Sequence, residues 1–500
     1  MIDRLKAFVG RLVPSGSLVE QTIKSGALMG SMNAISRALE LLMIVILASL
    51  LDPADFGLLG IALLVLSGLR SFSTLGLDSA VIQQKEENVD PYLNTVWGLE
   101  LIRGAVLAGL LLLLAPVIGS VFSEPRAPDV VRVLALSPAL IAIRNPGIVY
   151  FKKKMDFHME FLYQMSGSVV RFAVSVGWAL VSPTVWALVF GLIASEFVKS
   201  VFSFVGHGYR PWPALNRERA AELINYGKWI TGNSILFFLY GEGDDAIVGW
   251  LLSATALGFY QTAYRLSNAP ATEISQVIGN VMFPAFSTLQ DDVAALREAY
   301  YRVLQVTMFI ACPIAFGIAA IADPFVMTFM GPEWEPMIPA MQILAAYGLL
   351  RSLGKTMGPL WKAIGRPDYV TKLSLVRVTL IALFVIPATT TYGIVGTAAL
   401  IVGVYAFPMM PLDTYLIINS IEGSYRRFVK EVTYPLVASA AMFAAVVTVD
   451  AQSPLGTGVP EFLLLVGVGV VVYSALVGLL AFQFEWGIEK NIQEVVSTVG

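Results

Sequence analysis

Long apolar runs alternate with short polar ones along the whole chain, and the spacing of that alternation is its dominant signal. A helix that crosses a membrane needs about 20 mainly apolar residues. The pattern predicts fourteen such stretches, at 27–50, 57–80, 93–122, 130–150, 160–181, 184–205, 228–251, 257–286, 301–322, 337–360, 371–389, 393–419, 432–449 and 461–482. The stretch at 257–286 is the most polar, with Gln261, Arg265, Asn268, Glu273, Gln276 and Asn280; it either lines a cavity or is not a span. If two adjacent stretches re-enter or lie on the surface, the count falls to twelve. Asp52-Pro53-Ala54-Asp55, Ser182-Pro183 and the segment from Thr390 to Gly393 are short reversals, and proline after aspartate suits a helix start. The longest outer segment, Asp323 to Pro336, is too short to hold a folded catalytic domain.

The basic residues orient this pattern. With the N-terminus inside, 21 of the 33 lysines and arginines fall in cytoplasmic segments or span ends, and Arg126 alone falls outside. Such a bias is what the positive-inside rule produces, so both termini are expected in the cytoplasm. Ile2, Leu5, Val9 and Leu12 share one helical face among Asp3, Arg4, Lys6 and Arg11. That is the pattern of a short helix lying in the cytoplasmic interface and not of a signal peptide.

An internal repeat runs beneath the spans. A shift of 201 positions pairs Gly26 with Gly227, Ile46 with Ile247, Leu50-Leu51 with Leu251-Leu252, Gly57 with Gly258 and Ala62 with Ala263. A shift of 210 pairs the run Val131 to Ala135 with Met341 to Ala345, and Lys152 with Lys362. Six spans separate the copies, so both have one orientation and an axis along the membrane normal. The expected organisation is an amphipathic cytoplasmic segment (1–25), an N-lobe of six spans (26–205), a basic linker (206–227) and a C-lobe of six spans (228–420). Two extra spans (430–485) and a cytoplasmic tail (486–500) complete it. The fold class is an all-α integral membrane protein.

Composition agrees: 56% hydrophobic and 14% charged residues with a mean hydropathy of +0.72 belong to a polytopic membrane protein. Cys312 is the single cysteine, and His158 and His207 lie far apart, so neither a disulfide nor a thiol or imidazole metal site is expected. No Walker-type phosphate loop is present, which argues against ATP as the direct energy source.

The functional clue lies in eleven basic residues inside the predicted spans: Arg37, Arg70, Arg103, Arg132, Arg144, Arg171, Lys199, Arg265, Arg351, Lys355 and Arg377. A charge at bilayer depth costs about 2.5–3.5 kcal/mol, so it faces a polar cavity or a partner. So many cations suit an anionic cargo. Asn33, Arg37 and Glu40 share a helical face, either as an anion contact restrained by Glu40 or as a packing ion pair. Arg70 and Arg171 are further cavity candidates. Arg144 precedes the break Asn145-Pro146-Gly147, where it binds cargo or satisfies freed carbonyls. Glu196 and Lys199 read as a structural i,i+3 pair, Arg103 shares a face with Glu100, and Arg132 lies near the outer mouth. Arg265 with Glu273, and Arg351 with Lys355, supply cations from the second half. Glu242, Asp244 and Asp245, among Gly241 and Gly243, are candidates for coupling transport to an H⁺ or Na⁺ gradient; otherwise they are hydrated at the outer end.

The run Leu50-Leu51-Asp52-Pro53-Ala54-Asp55-Phe56-Gly57-Leu58, with Gly76-Leu77-Asp78-Ser79-Ala80-Val81 and Gly331-Pro332-Glu333-Trp334, resembles the oligosaccharide flippases of the multidrug/oligosaccharidyl-lipid/polysaccharide exporter superfamily. The resemblance covers about residues 20–430. It implies an alternating-access carrier, without enzymatic activity, that moves an isoprenoid-(pyro)phosphate-linked glycan outward through the cell membrane. It also implies cavity arginines on the first, second and eighth helices, where Arg37, Arg70 and Arg265 stand here, and a groove for the lipid tail between the last two spans. The expected surroundings are membrane lipids and glycan polymerase or glycosyltransferase machinery, with no nucleic acid and a monomeric carrier. Two other readings stay open, an organic-cation antiporter of the same fold and a membrane glycosyltransferase or polysaccharide polymerase.

Overall fold

A computed structural model describes residues 35–83, 89–154, 156–453 and 456–484, and among them there is helix and no strand. The interfacial helix expected at Ile2 to Val13, Asn33 and the tail 486–500 lie outside the described residues. In chain order the helices are α1 (35–48), α2 (Pro53–Phe72), α3 (Leu77–Gln83), α4 (Asp90–Val121), α5 (Ala127–Leu134), α6 (Leu136–Ala142), α7 (Val149–Lys153), α8 (Phe157–Val181) and α9 (Val185–Gly206). There follow α10 (Arg217–Leu251), α11 (Ala254–Thr288), α12 (Val293–Phe329), α13 (Ile338–Ala363), α14 (Pro367–Val404), α15 (Met410–Ser420), α16 (Tyr425–Gln452) and α17 (Val459–Phe484).

Seven helical segments among the described residues are long and apolar enough to cross a membrane: α2, α4, α9, α12, α14 with α15, α16 and α17. An eighth is the bent segment from Ala127 to Lys153, which turns by 67° at its break. The other long helices, α8, α10, α11 and α13, are interrupted by charged side chains such as Arg171, Asp244, Arg265 and Arg351. The chain divides into two compact units, one of residues 1–51 and 58–242, the other of residues 52–57 and 243–498, with α10 passing from the first to the second. The first half of the basic linker is extended and belongs to unit 1, while its second half is already helix. Asn216 caps that helix, its Oδ1 accepting from the Glu218 and Arg219 amides at 3.1 Å.

The helices stop where the backbone must bend, and each bend has its own partners. The span expected at 57–80 is interrupted, because α2 ends at Phe72 and Gly76 adopts a φ of +59° before α3. A Cβ at Gly76 would run into the Ile230 side chain, and one at Gly227 into the Leu75 backbone, so only glycines let α10 lie against this break. The Thr231 hydroxyl donates to the Thr74 carbonyl that the break frees. At the second break, Asn145 is fully buried and caps the turn Pro146–Ile148 by accepting from the Gly147 amide at 2.9 Å. Its own amide donates to Ser203 Oγ at 2.9 Å and its Nδ2 to the Tyr209 carbonyl at 2.6 Å. Irregular backbone inside a membrane protein is tolerated when protein groups satisfy it in this way.

The third bend, at Gly393, falls where a reversal was expected. Thr389 and Thr397 are eight residues apart, about 12 Å on a straight helix, yet their hydroxyls are 2.8 Å apart. The chain therefore folds back at Gly393, whose φ is +59°.

The repeat has a structural counterpart. Residues 53 and 254, which the 201-residue shift pairs, begin α2 and α11. A Cβ on Gly57 would collide with the Ala254 carbonyl, and one on Gly258 with the Pro53 carbonyl. Each partner is the repeat equivalent of the other, so the contact is self-complementary in the manner of a two-fold interface. Trp334, 1% exposed, packs beside it with its ring 5.1 Å from Phe56 and 5.9 Å from Phe259. Gly57→Leu or Gly258→Leu should lower stability by roughly 1–3 kcal/mol, the usual cost of overpacking. Gly232→Ala, with open space at its Cβ, should be neutral or better by thermal unfolding in detergent.

At the other end of unit 2, Arg427 reaches both Glu298 oxygens, at 2.6 and 2.7 Å, and lies 4.5 Å from the Tyr301 ring. That guanidinium holds the Glu298 carboxyl below the usual carboxylate range. A lowered folded-state value means the contribution is present above the unfolded value of about 4.3 and is lost as pH falls through the folded one. The pair is partly exposed, so its share should stay under about 1 kcal/mol. The melting-temperature gap between wild type and Glu298→Gln should be open at neutral pH and should close as pH drops below about 4.

Candidate functional site

In unit 1 a polar cluster forms where charged side chains of α2, α4, α9 and the break after α6 meet polar and aromatic side chains of α6 and α8. Arg70 Nη2 donates to Ser137 Oγ at 2.9 Å. Arg103 donates from Nη1 to both Glu100 oxygens at 3.1 Å and from Nε to Ser73 Oγ at 3.3 Å. Arg144 pairs with Glu196 and faces the Tyr163 ring at 5.9 Å. Lys199 Nζ donates to Gln164 Oε1 at 2.8 Å, and its stem lies in the space that Gly167 leaves open. Arg70 is within electrostatic reach of Glu196, Arg103 and Arg144, and Lys199 of Glu196, Arg144, Glu160 and Arg171.

This arrangement corrects two readings. Glu196 does not pair with Lys199 as their spacing suggested; it crosses to Arg144, while Lys199 turns to Gln164. Arg144 does not satisfy the broken backbone after it, because Asn145, Ser203 and Tyr209 do so. On α1, Arg37 Nη1 meets Glu40 Oε2 at 2.7 Å, with both side chains 31% exposed. Arg132 is exposed and paired with Asp129 at 2.8 Å.

Unit 2 holds a second polar cluster, rich in tyrosine. Tyr260, buried on α11, donates to Asp244 Oδ2 at 2.6 Å, and Gln261 Nε2 donates to Asp245 Oδ2 at 2.8 Å. Arg351 Nη1 donates to the Tyr264 hydroxyl at 2.8 Å, sits 5.5 Å from the Tyr347 ring, and lies within electrostatic reach of Asp244. Tyr347 in turn bonds Tyr405 hydroxyl to hydroxyl at 3.2 Å. Arg377 lies 4.1 Å from the Tyr405 ring and pairs with Asp413 at 3.3 Å. Arg265 is half-buried, on the α11 turn that carries Tyr264, and Lys355 is exposed one turn beyond Arg351 on α13. The Glu273 side chain lies outside the described ones.

The three carboxylates read as one group have separate partners. Ser67 Oγ donates to Glu242 Oε1 at 3.2 Å within unit 1, whereas Asp244 and Asp245 turn to α11 in unit 2. Among the described residues no three acidic, histidine or cysteine side chains come together as a metal ion would require.

Sequence reasoning passed over Tyr260, Tyr264, Tyr347, Tyr405 and Asp413. The tyrosines carry no charge signal in an apolar stretch. Asp413 did: it is the one charge in 393–419, and Arg377 stands alone mid-span in 371–389. A lone acid and a lone base in successive spans point to a mutual pair.

Comparison with known proteins gives this geometry a family. The chain is 27% identical over 429 residues to the lipopolysaccharide biosynthesis protein WzxC of Escherichia coli, covering 85% of this chain and 86% of that one. It is 24% identical to the succinoglycan biosynthesis transport protein ExoT of Rhizobium meliloti, over 66% of this chain and 67% of its relative. Its fold matches the lipid II flippase MurJ in an inward closed conformation, with a TM-score of 0.72 at 14% identity, over 92% of this chain and 99% of that one. With the model of the family described as polysaccharide biosynthesis protein matching residues 46–339, more than half of its length, the chain belongs to that family.

Proposed function

We propose that the protein is a flippase that carries an isoprenoid-(pyro)phosphate-linked oligosaccharide from the cytoplasmic to the outer leaflet by alternating access, for cell-surface polysaccharide synthesis. It is a multi-pass membrane transporter and not an enzyme. The observation that carries this reading is the surplus of cations on its intramembrane helices. Arg70, Arg144 and Lys199 gather in unit 1 around Glu196, with Arg103 beside Arg70, and Arg351 stands in unit 2 against the Tyr264 hydroxyl. A guanidinium presents paired donors that match phosphate oxygens, so these groups suit the anionic end of a lipid-linked sugar. The roles of the relatives, in lipopolysaccharide biosynthesis and in succinoglycan biosynthesis transport, point the same way. Residues Arg37, Arg70, Arg144, Arg171, Arg265, Arg351 and Lys355 are assigned to the cargo path. Fourteen spans, two six-helix lobes with two added helices, a monomeric carrier, and glycan-polymerising machinery as its neighbour complete the proposal.

Coupling to an H⁺ or Na⁺ gradient is assigned to Asp244 or Asp245, with Glu242 the third candidate. Asp244 is buried, and a buried carboxylate without a full counter-charge is costly. Its stability therefore depends on what occupies the Tyr260 and Arg351 side of the site.

In proteoliposomes loaded with a fluorescent isoprenoid-diphosphate oligosaccharide, wild type should flip the lipid. Arg37→Ala and Arg265→Ala should each slow flipping tenfold or more, since hydrogen bonds to charged groups contribute about 1.5–3 kcal/mol. Arg132→Ala, at an exposed pair, should behave as wild type. Inactive wild type that exports organic cations would transfer the protein to the antiporter reading. For orientation, Cys312 is buried, so single added cysteines report cleanly. Arg426→Cys should label only from the cytoplasmic side and Arg126→Cys only from outside, with the reverse pattern overturning the topology.

A further inference from the structure

The cluster in unit 1 contains an imbalance that points to its use. Arg70, Arg103, Arg144 and Lys199 are four cations, and Glu196 is the acid that acts on Arg70, Arg144 and Lys199 together. Glu100 is taken by Arg103, at 3.1 Å from both oxygens. Glu160 accepts from Gln164 at 2.9 Å, lies 3.9 Å from Lys152 and reaches Lys199 without a direct contact. The Arg144–Glu196 pair is not sealed, since the two side chains retain 17% and 20% exposure. Arg144 Nε is buried and lacks a hydrogen-bond partner among the described residues, so this guanidinium has donor capacity that Glu196 does not use.

The helices hold these groups in place independently of one another. Arg70 is steadied by Ser137, Arg103 by Glu100 and Ser73, and Lys199 by Gln164 and the gap at Gly167. Ser200, one turn on from Glu196, donates to the Leu140 carbonyl at 2.6 Å and ties α9 to α6. Tyr163 lies beside both Arg144 and Lys199, 5.9 and 5.5 Å from its ring centre. Moving Glu196 away would therefore uncover Arg144 beside three cations, Arg70, Arg103 and Lys199, whose positions are fixed by other groups.

We infer that Glu196 is an internal competitor for the cargo's phosphate, and that Arg70, Arg103, Arg144 and Lys199 form the anion seat of unit 1. A carboxylate and a phosphate present similar oxygens to a guanidinium, and the phosphate carries more charge. Glu196 shields Arg144 when no phosphate is seated, which avoids leaving cations unmatched in an apolar surround. A phosphate or diphosphate displaces it, and its return speeds release. The carrier gains a seat strong enough to select an anion and weak enough to let it go. This inference rests on the flippase reading for the identity of the cargo, but the seat itself is tested without it.

The first probe is inorganic pyrophosphate, titrated by calorimetry into the purified full-length protein. Glu196→Gln should bind it about tenfold more tightly than wild type, and Arg103→Gln should bind it at least tenfold more weakly. In proteoliposomes with the fluorescent isoprenoid-diphosphate oligosaccharide, Glu196→Gln should turn over more slowly at saturating cargo. A Glu196→Gln protein that binds pyrophosphate equally or more weakly overturns the proposal and makes the pair a packing device. If that variant does not accumulate, Lys199→Gln carries the test, and wild-type affinity there overturns it equally.

Nanodiscs separate the sources of phosphate. Pyrophosphate affinity that survives adding phosphatidylglycerol to phosphatidylcholine supports a cargo seat. Affinity that collapses assigns the site to bulk headgroups and overturns it. Pyrophosphate binding in the expected order without saccharide flipping would keep the seat and remove the flippase reading. Wild-type flipping with pyrophosphate binding indifferent to Glu196 and Arg103 would do the reverse.

Discussion

A polar group inside a membrane has no water to fall back on, and every feature of this protein is arranged around that constraint. An uncompensated charge or an orphaned amide costs several kcal/mol there. The charged side chains are accordingly matched in sets: Arg144 with Glu196, Arg377 with Asp413, Asp244 with Tyr260 and Arg351 with Tyr264. None of the last three pairs is local in sequence. Each joins two helices, so the cost of burying the groups makes the packing specific.

The backbone obeys the same constraint at its breaks. Among the bends that interrupt the described helices are those near Gly76, at Asn145 and at Gly393. Near Gly76 the freed carbonyl of Thr74 takes the Thr231 hydroxyl, and Asn145 is held by Ser203 and Tyr209. At Gly393 two threonines close the fold-back. Bends supported in this way leave Arg70 and Arg144, each just before its break, in one cluster with α9.

The glycine contact between α2 and α11 shows how a duplicated sequence uses its own symmetry. Gly57 faces Ala254 and Gly258 faces Pro53, each contact the repeat equivalent of the other. Two helix starts meet through their backbones because neither carries a side chain at the crossing. A carrier that binds an anion must keep such contacts rigid while leaving its polar groups partly open, and the partial exposure of Arg144 and Glu196 is consistent with that division.

Much of this was legible in the chain. The apolar periodicity carried the helical membrane fold, the 201-residue shift carried the Gly57–Gly258 equivalence, and the glycine at 393 carried a reversal. The mid-span cations carried the expectation of an anionic cargo. Those signals are local or periodic, and the physics behind them, hydrophobic burial and backbone sterics, acts along the chain. What the chain could not reveal is which charge answers which. Spacing joined Glu196 to Lys199, three residues apart, but the fold joined it to Arg144, 52 residues away. Spacing grouped Glu242 with Asp244 and Asp245, but the fold gave them different partners. Helical spacing records neighbours on one helix only, whereas a buried charge takes whichever partner the neighbouring helices bring within reach. The tertiary structure alone decides that.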